Sequence, residues 1–135
     1  MVERVVDGDT VIVTFDGGSQ RVRILNVDAP ESVKPDSPVE CLGPEASAFT
    51  SQLLPSGTSV RLAFDVEPTG RYDRLLAAVY LEDGRSVGTE LARAGLAEPV
   101  QYGDNFRFLA EIEAASAEAR AAGVGLFASD LACAQ

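Results

Sequence analysis

The sequence predicts an α+β fold, mainly β, in which five strands and three helices share one core. Three observations point there. Short runs rich in Val, Ile and Thr fill residues 2–27, broken by turns that carry Asp and Gly. Two more apolar strand patterns occupy residues 58–81, and segments with helical spacing lie before, between and after them. A hydrophobic share of 46% over 135 residues fits one globular domain, residues 1–135.

Taken in order, Val2 to Val6 and Thr10 to Phe15 are β-rich and are separated by Asp7-Gly8-Asp9. Asp16-Gly17-Gly18 is a hairpin signal, and Gln20 to Val27 alternates Val22 and Ile24 with polar partners, so an antiparallel meander is expected. Residues 28–42 hold Pro30, Pro35 and Pro38 and form a long irregular loop, a feature often functional in compact domains. Gly43-Pro44-Glu45 opens a helix with proline in its first turn and a glutamate that suits the dipole. Ala46, Phe49, Leu53 and Leu54 give it an apolar face, and Pro55-Ser56-Gly57 stops it. Thr58 to Val66 and Leu75 to Leu81 are strands, the second turning at Glu82-Asp83-Gly84. Ser86 caps a short helix through Leu91 and Ala94, ended by Gly95. Asn105 is expected to cap a third helix, with Phe108, Leu109, Ile112 and Ala115 inward and Gly123 at its end. Five strands with a helix between the third and fourth match a five-stranded Greek-key barrel of the OB type. Periodicity alone supports only an antiparallel sheet with helices.

Composition narrows the chemistry. The net charge is −10, from 21 acidic against 11 basic residues, which disfavours strong non-specific binding to nucleic acid. Lys34 is the only lysine and the other ten basic residues are arginines, whose rigid forks suit phosphate. There is no histidine. That excludes histidine acid–base nucleases, Ser-His-Asp hydrolases and His-ligated metals, so hydrolysis here would need carboxylates, arginines and a hard metal ion. Cys41 and Cys133 form no zinc pattern. One disulfide would close most of the domain into a loop, contribute about 4–5 kcal/mol on the chain-entropy model, and imply an oxidising compartment; two unrelated buried thiols are the alternative. No apolar run spans a membrane, and no basic-then-apolar leader precedes the first strand. An export signal is therefore expected to have been removed or never to have existed. The start at Met1, one residue ahead of a strand, suggests the edge of a trimmed domain.

Three constellations carry chemistry. In Asp7-Gly8-Asp9-Thr10 two carboxylates straddle a glycine where one strand bends into the next, and the glycine permits a sharp path; a plain tight turn is the bland alternative. In Arg23 through Glu31, Arg23 lies within an apolar strand, while Asp28 and Glu31 sit at its exit beside Pro30. Asp9 and Asp28 could share a hard cation such as Ca²⁺, with water filling its shell and Glu31 near a metal-bound water; solvated loop charges are the alternative. In Gly70-Arg71-Tyr72-Asp73-Arg74 a charged loop enters a strand, so Arg74 is a candidate phosphate donor and Tyr72 a candidate for sugar or base; otherwise it is a hairpin crest.

Together with Gly43 through Phe49 and Gly95-Leu96-Ala97, these segments resemble the staphylococcal nuclease (thermonuclease) family along essentially the whole chain. The resemblance implies an OB-fold barrel with three helices. It makes Asp9 and Asp28 calcium-binding carboxylates, with the Ala29 carbonyl as a further ligand in place of the usual threonine. It makes Arg23 and Arg74 the grip on the scissile phosphate and Glu31 the residue that activates or orients water. Arg71, Tyr72 and Tyr102 would touch neighbouring phosphate and nucleotide. The implied reaction is calcium-dependent in-line hydrolysis of DNA and RNA, single strands preferred, leaving 3′-phosphate ends. The cysteines resemble those of exported relatives, which implies a Cys41–Cys133 disulfide, a location outside the cell or in its envelope, and a monomer. Asp73 departs from the family's glycine and Gly70 from its aspartate, and only Tyr102 remains of a tyrosine-rich stretch. The rival expectation is a non-catalytic module of this barrel that binds nucleic acid or protein, though such modules typically lose the carboxylates and arginines retained here.

Overall fold

The computed structural model describes residues 1–31, 40–70 and 73–131. The valine-rich runs become β1 (Val2–Asp7), β2 (Thr10–Phe15) and β3 (Gly18–Ile24), paired antiparallel as the meander required. The hairpin joint is Asp16-Gly17, at φ +52° and +83°. Positive φ at both central residues gives the mirror-image turn that follows strand twist.

The expected third strand does not run to Val27. It ends at Ile24, because Asn26 takes φ +65°, a left-handed conformation incompatible with a ladder. The chain resumes as β4 (Val27–Asp28), which pairs with β7 (Glu98–Pro99), a two-residue match with no local signal.

α1 (Gly43–Leu53) begins with Pro44 and Glu45 in its first turn, as expected. β5 (Arg61–Ala63) is shorter than Thr58–Val66. Its flanks are engaged elsewhere: Thr58 bonds to Val2, and the Phe64 carbonyl accepts from Arg107. β6 (Leu75–Tyr80) lies between β3 and β5, giving the order β1-β2-β3-β6-β5. The β3–β6 pair is parallel, which corrects the wholly antiparallel expectation. The connection between them passes through α1 and β5, long enough for the crossover a parallel pair needs. The Val2 N–H donates to the Thr58 carbonyl (2.8 Å) and the Gly57 N–H to the Val2 carbonyl (2.7 Å), so the β1 edge approaches the entry to β5. No ladder joins β1 to β5 among the described residues.

α2 (Val87–Arg93) is capped by Ser86, whose hydroxyl accepts from the Thr89 N–H at 3.4 Å. α3 (Leu109–Ala122) stops at Gly123, left-handed at φ +66°. Asn105 does not cap α3. The cap position is Phe108, with no side-chain bond, because the Asn105 amide is committed to the Glu67 backbone. The core is one cluster: Val11, Val22, Ile24, Leu76 and Val79 from the sheet meet Leu91 of α2 and Ile112 of α3, all at most 1% exposed. Each such side chain contributes about 1.5–3 kcal/mol through burial. No described helix is long and apolar enough to cross a membrane.

Candidate active site

The sheet order brings the charged strand ends together. Thr10 faces Arg23 across β2–β3 and Arg23 faces Leu76 across β3–β6, so Asp9 and Arg74 flank Arg23 from opposite sides. Asp28 enters from β4, held opposite Glu98.

Asp9 is 4% exposed. Its Oδ2 accepts the Ala29 N–H at 2.9 Å and its Oδ1 the Thr10 hydroxyl at 3.1 Å. Nη2 of Arg23 stands 3.4 Å from Asp9 Oδ2 and 3.7 Å from Asp28 Oδ1, while Nη1 donates to the carbonyl of Ile24. One buried guanidinium thus lies within ion-pair range of both carboxylates, the buried Asp9 and the exposed Asp28. Burial pushes the Asp9 carboxyl above its ordinary range, against the opposing pull of Arg23 and the Ala29 N–H.

That direction has a consequence for stability. A carboxyl whose pKa is raised on folding does not destabilise the fold below its unfolded value. The cost of keeping it charged grows as pH rises from there through the raised value. In chelator, Asp9→Asn is therefore expected to melt at a higher temperature than the parent at neutral pH. The difference should close as pH falls below the usual aspartate range, which thermal melts across pH would follow.

Gly8 serves this turn through contact. A Cβ there would lie 2.9 Å from the Cβ atoms of both Ala29 and Ala46. The Thr50 hydroxyl of α1 also donates to the Gly8 carbonyl at 2.7 Å. The helix and the Asp28–Ala29 segment press on the turn that carries Asp9. Gly8→Ala should cost about 1–3 kcal/mol by overpacking, measured by urea denaturation.

Arg74 is only partly exposed, and its Nε is buried without a hydrogen-bond partner among the described residues. Its Nη2 approaches the Tyr102 hydroxyl at 3.5 Å, a long contact. The Tyr102 ring centroid is 6.0 Å from the Arg23 guanidinium carbon. Tyr102 therefore stands near both arginines at the wall of an open cleft of about 590 Å³, which Gly70, Arg74 and Gln101 also line. A Cβ on Gly70 would lie 3.3 Å from the Tyr102 hydroxyl, so this glycine gives the tyrosine room. Asp73 takes φ +58°, the left-handed conformation that aspartate tolerates, and makes no ion pair with Arg74.

Two asparagines hold this arrangement, and neither was singled out for the site from sequence. Asn26 and Asn105 are fully buried. The Asn26 amide donates to the carbonyls of Val100 (3.0 Å) and Asn105 (2.8 Å) and accepts from the Phe108 N–H (3.3 Å). Asn105 exchanges side-chain bonds with both backbone groups of Glu67, at 2.7 and 2.8 Å, and its N–H donates to the Tyr102 carbonyl at 2.9 Å. A polar residue inside the apolar run Leu25-Asn26-Val27 was the available signal.

Glu31 is half-buried. Its N–H donates to Glu40 Oε1 at 2.7 Å and its carbonyl accepts the Glu40 N–H at 2.9 Å. A hollow of about 250 Å³ beside it is lined by Asp28, Ala29, Glu40 and Glu98. Arg71, Tyr72 and Cys133 lie outside the described residues, as does Lys34; no free cysteine occurs among the described ones. No group of three or more acidic or cysteine side chains close enough for a metal occurs among the described residues.

Comparison with known proteins places this geometry. The family model described as staphylococcal nuclease homologue matches residues 21–129. The thermonucleases of Staphylococcus intermedius and Staphylococcus hyicus are each 44% identical over 120 residues, covering 89% and 88% of this chain and 70% and 69% of those proteins. Endonuclease YncB of Bacillus subtilis is 43% identical over 123 residues, 85% of this chain and 57% of that protein. With most of its length matched at this identity, the chain belongs to the staphylococcal nuclease family.

Proposed function

We propose that this chain is a nuclease that hydrolyses phosphodiesters of single-stranded DNA and RNA, with Ca²⁺ bound at Asp9, Asp28 and the carbonyl of Ala29. The observation that carries the reading is the buried Nε–H of Arg74, unpartnered among the described residues, with Tyr102 near both Arg74 and Arg23. A buried donor left without an acceptor is costly, and a phosphate oxygen would satisfy it. Arg74 and Arg23 are the donors that meet the charge growing on phosphorus oxygens during in-line attack by water. Glu31 places the attacking water or takes its proton. Arg71 and Tyr72 hold a neighbouring phosphate and nucleotide, and Tyr102 walls the cleft. Contacts made through phosphate leave base identity and sugar largely unread, which fits action on both DNA and RNA. Cleavage is expected on the 5′-oxygen side, leaving 3′-phosphate ends.

The donor set suits the ion. Asp9 and Asp28 offer only oxygen, and both lie within ion-pair range of one guanidinium, so a cation near them would share two charges and take its other ligands from water and phosphate. When bound, calcium neutralises charge on the phosphodiester and polarises it. The remaining expectations belong to the same reading: a Cys41–Cys133 disulfide, export from the cell, a monomeric state, and closure of the sheet into a Greek-key barrel. Closure is supported by the two bonds between Val2 and residues 57–58.

The test is incubation of the protein with single-stranded DNA and RNA, with calcium and with EDTA. EDTA-sensitive cleavage is expected, with ends that a polymerase extends only after phosphatase treatment. Binding with no such cleavage would replace the enzyme with a recognition module.

A further inference from the structure

One aromatic side chain beside the cleft is unused by that chemistry. Phe106 is 61% exposed and sits just ahead of α3. With Leu109, Ala110, Gln101 and Glu113 it lines a second groove of about 370 Å³. Gln101 lines this groove and the arginine cleft alike, so the two adjoin at that residue. Its amide N–H₂ donates to the Gly103 carbonyl at 3.0 Å, which fixes it at the junction.

The ring is exposed, yet the backbone under it is held on both sides. Asn105 before it is fully buried. After it, the Arg107 N–H donates to Asp65 Oδ2 at 2.8 Å, the Arg107 guanidinium to the Phe64 carbonyl at 2.6 Å, and the Phe108 N–H to Asn26 at 3.3 Å. A ring presented on a fixed turn loses little freedom when something stacks on it. Lone surface apolar residues are ordinary, but an aromatic contiguous with Leu109 and Ala110 beside a site is a candidate contact.

We infer that Phe106, with Leu109 and Gln101, forms a stacking subsite for a nucleobase of the same single strand whose phosphate lies at Arg23 and Arg74. This rests on the nuclease reading above and extends it by one nucleotide position. A base is the occupant because the groove adjoins the arginine cleft at Gln101, and because every base offers a face to an aromatic ring whatever its identity. Glu113 and Gln101 at its edge add polar groups for base amino and imino hydrogens.

The test compares Phe106→Ala and Phe106→Tyr with the parent by fluorescence anisotropy. The probes are labelled oligothymidylates in EDTA: a dinucleotide, a longer oligomer, and the longer oligomer with abasic sites. Stacking of this kind is worth roughly 5- to 100-fold in affinity per base. The alanine variant should lose that on the long oligomer, the tyrosine variant should keep it, and neither should change binding of the dinucleotide or the abasic strand. Under cleavage conditions the loss should appear in KM and leave kcat in place. Equal affinity of parent and alanine variant on the long oligomer overturns the subsite, as does an equal loss on all three probes. A Phe106→Ala change that dissolves a dimer without altering oligomer affinity also overturns it, in favour of contact between chains. Failure of the nuclease reading is separate: it would show as absent cleavage by the parent, and the anisotropy would still decide the subsite.

Discussion

Arg74→Lys lowers kcat by about 10²–10³-fold, the effect of removing one aimed donor from a developing oxyanion. Lysine keeps the charge, so a smaller loss would be expected if charge alone mattered. What lysine lacks is the fork and the Nε–H, and in Arg74 that Nε is a buried donor with no partner among the described residues. Arg23→Lys should fall in the same range for a different reason. Its guanidinium donates to the Ile24 carbonyl while standing between Asp9 and Asp28, a spread a single ammonium cannot cover. Single-turnover cleavage of a defined oligonucleotide gives both rates, with circular dichroism to confirm an intact fold. Unchanged activity in both variants would remove the phosphate clamp from the mechanism.

The largest stability effect is expected at Asn26. Asn26→Ala deletes three side-chain hydrogen bonds that join β3 to the segment carrying Tyr102 and to the start of α3. It also places alanine at φ +65°. At about 1 kcal/mol per bond and about 1 kcal/mol for the backbone, the loss is about 3–4 kcal/mol. Asn26→Gly separates the two causes, because glycine accepts the backbone and still lacks the bonds, so it should recover about 1 kcal/mol. Urea denaturation of the three proteins measures this. Equal stability of parent and alanine variant would mean that water replaces the amide at no cost.

These two residues also mark how far the sequence could be followed. Turns and caps were legible because their causes are local: Asp16-Gly17 needs only its own φ values, Ser86 reaches only to Thr89, and Gly123 ends α3 by itself. The approach of Asp9 to Arg23 was legible for a related reason, since Thr10 beside Asp9 pairs with Arg23 across two strands that are sequence neighbours, whereas Asp28 arrives through the β4–β7 match. The start of α3 was misplaced because Asn105 looks like a cap, while its amide is spent on Glu67, 38 positions away in the chain. The parallel β3–β6 pair and the two-residue β4–β7 match depend on crossovers that no window of sequence contains. The second need for glycine at position 8 was not legible, because the two alanines that exclude a Cβ come from residues 29 and 46.

Where the strands hand over to α1, the chain is already fastened: residues 31 and 40 are joined by two hydrogen bonds, one of them backbone to backbone. Those bonds bring the ends of that span together whatever its length, so doubling it should cost only about 0.6 kcal/mol of closure entropy.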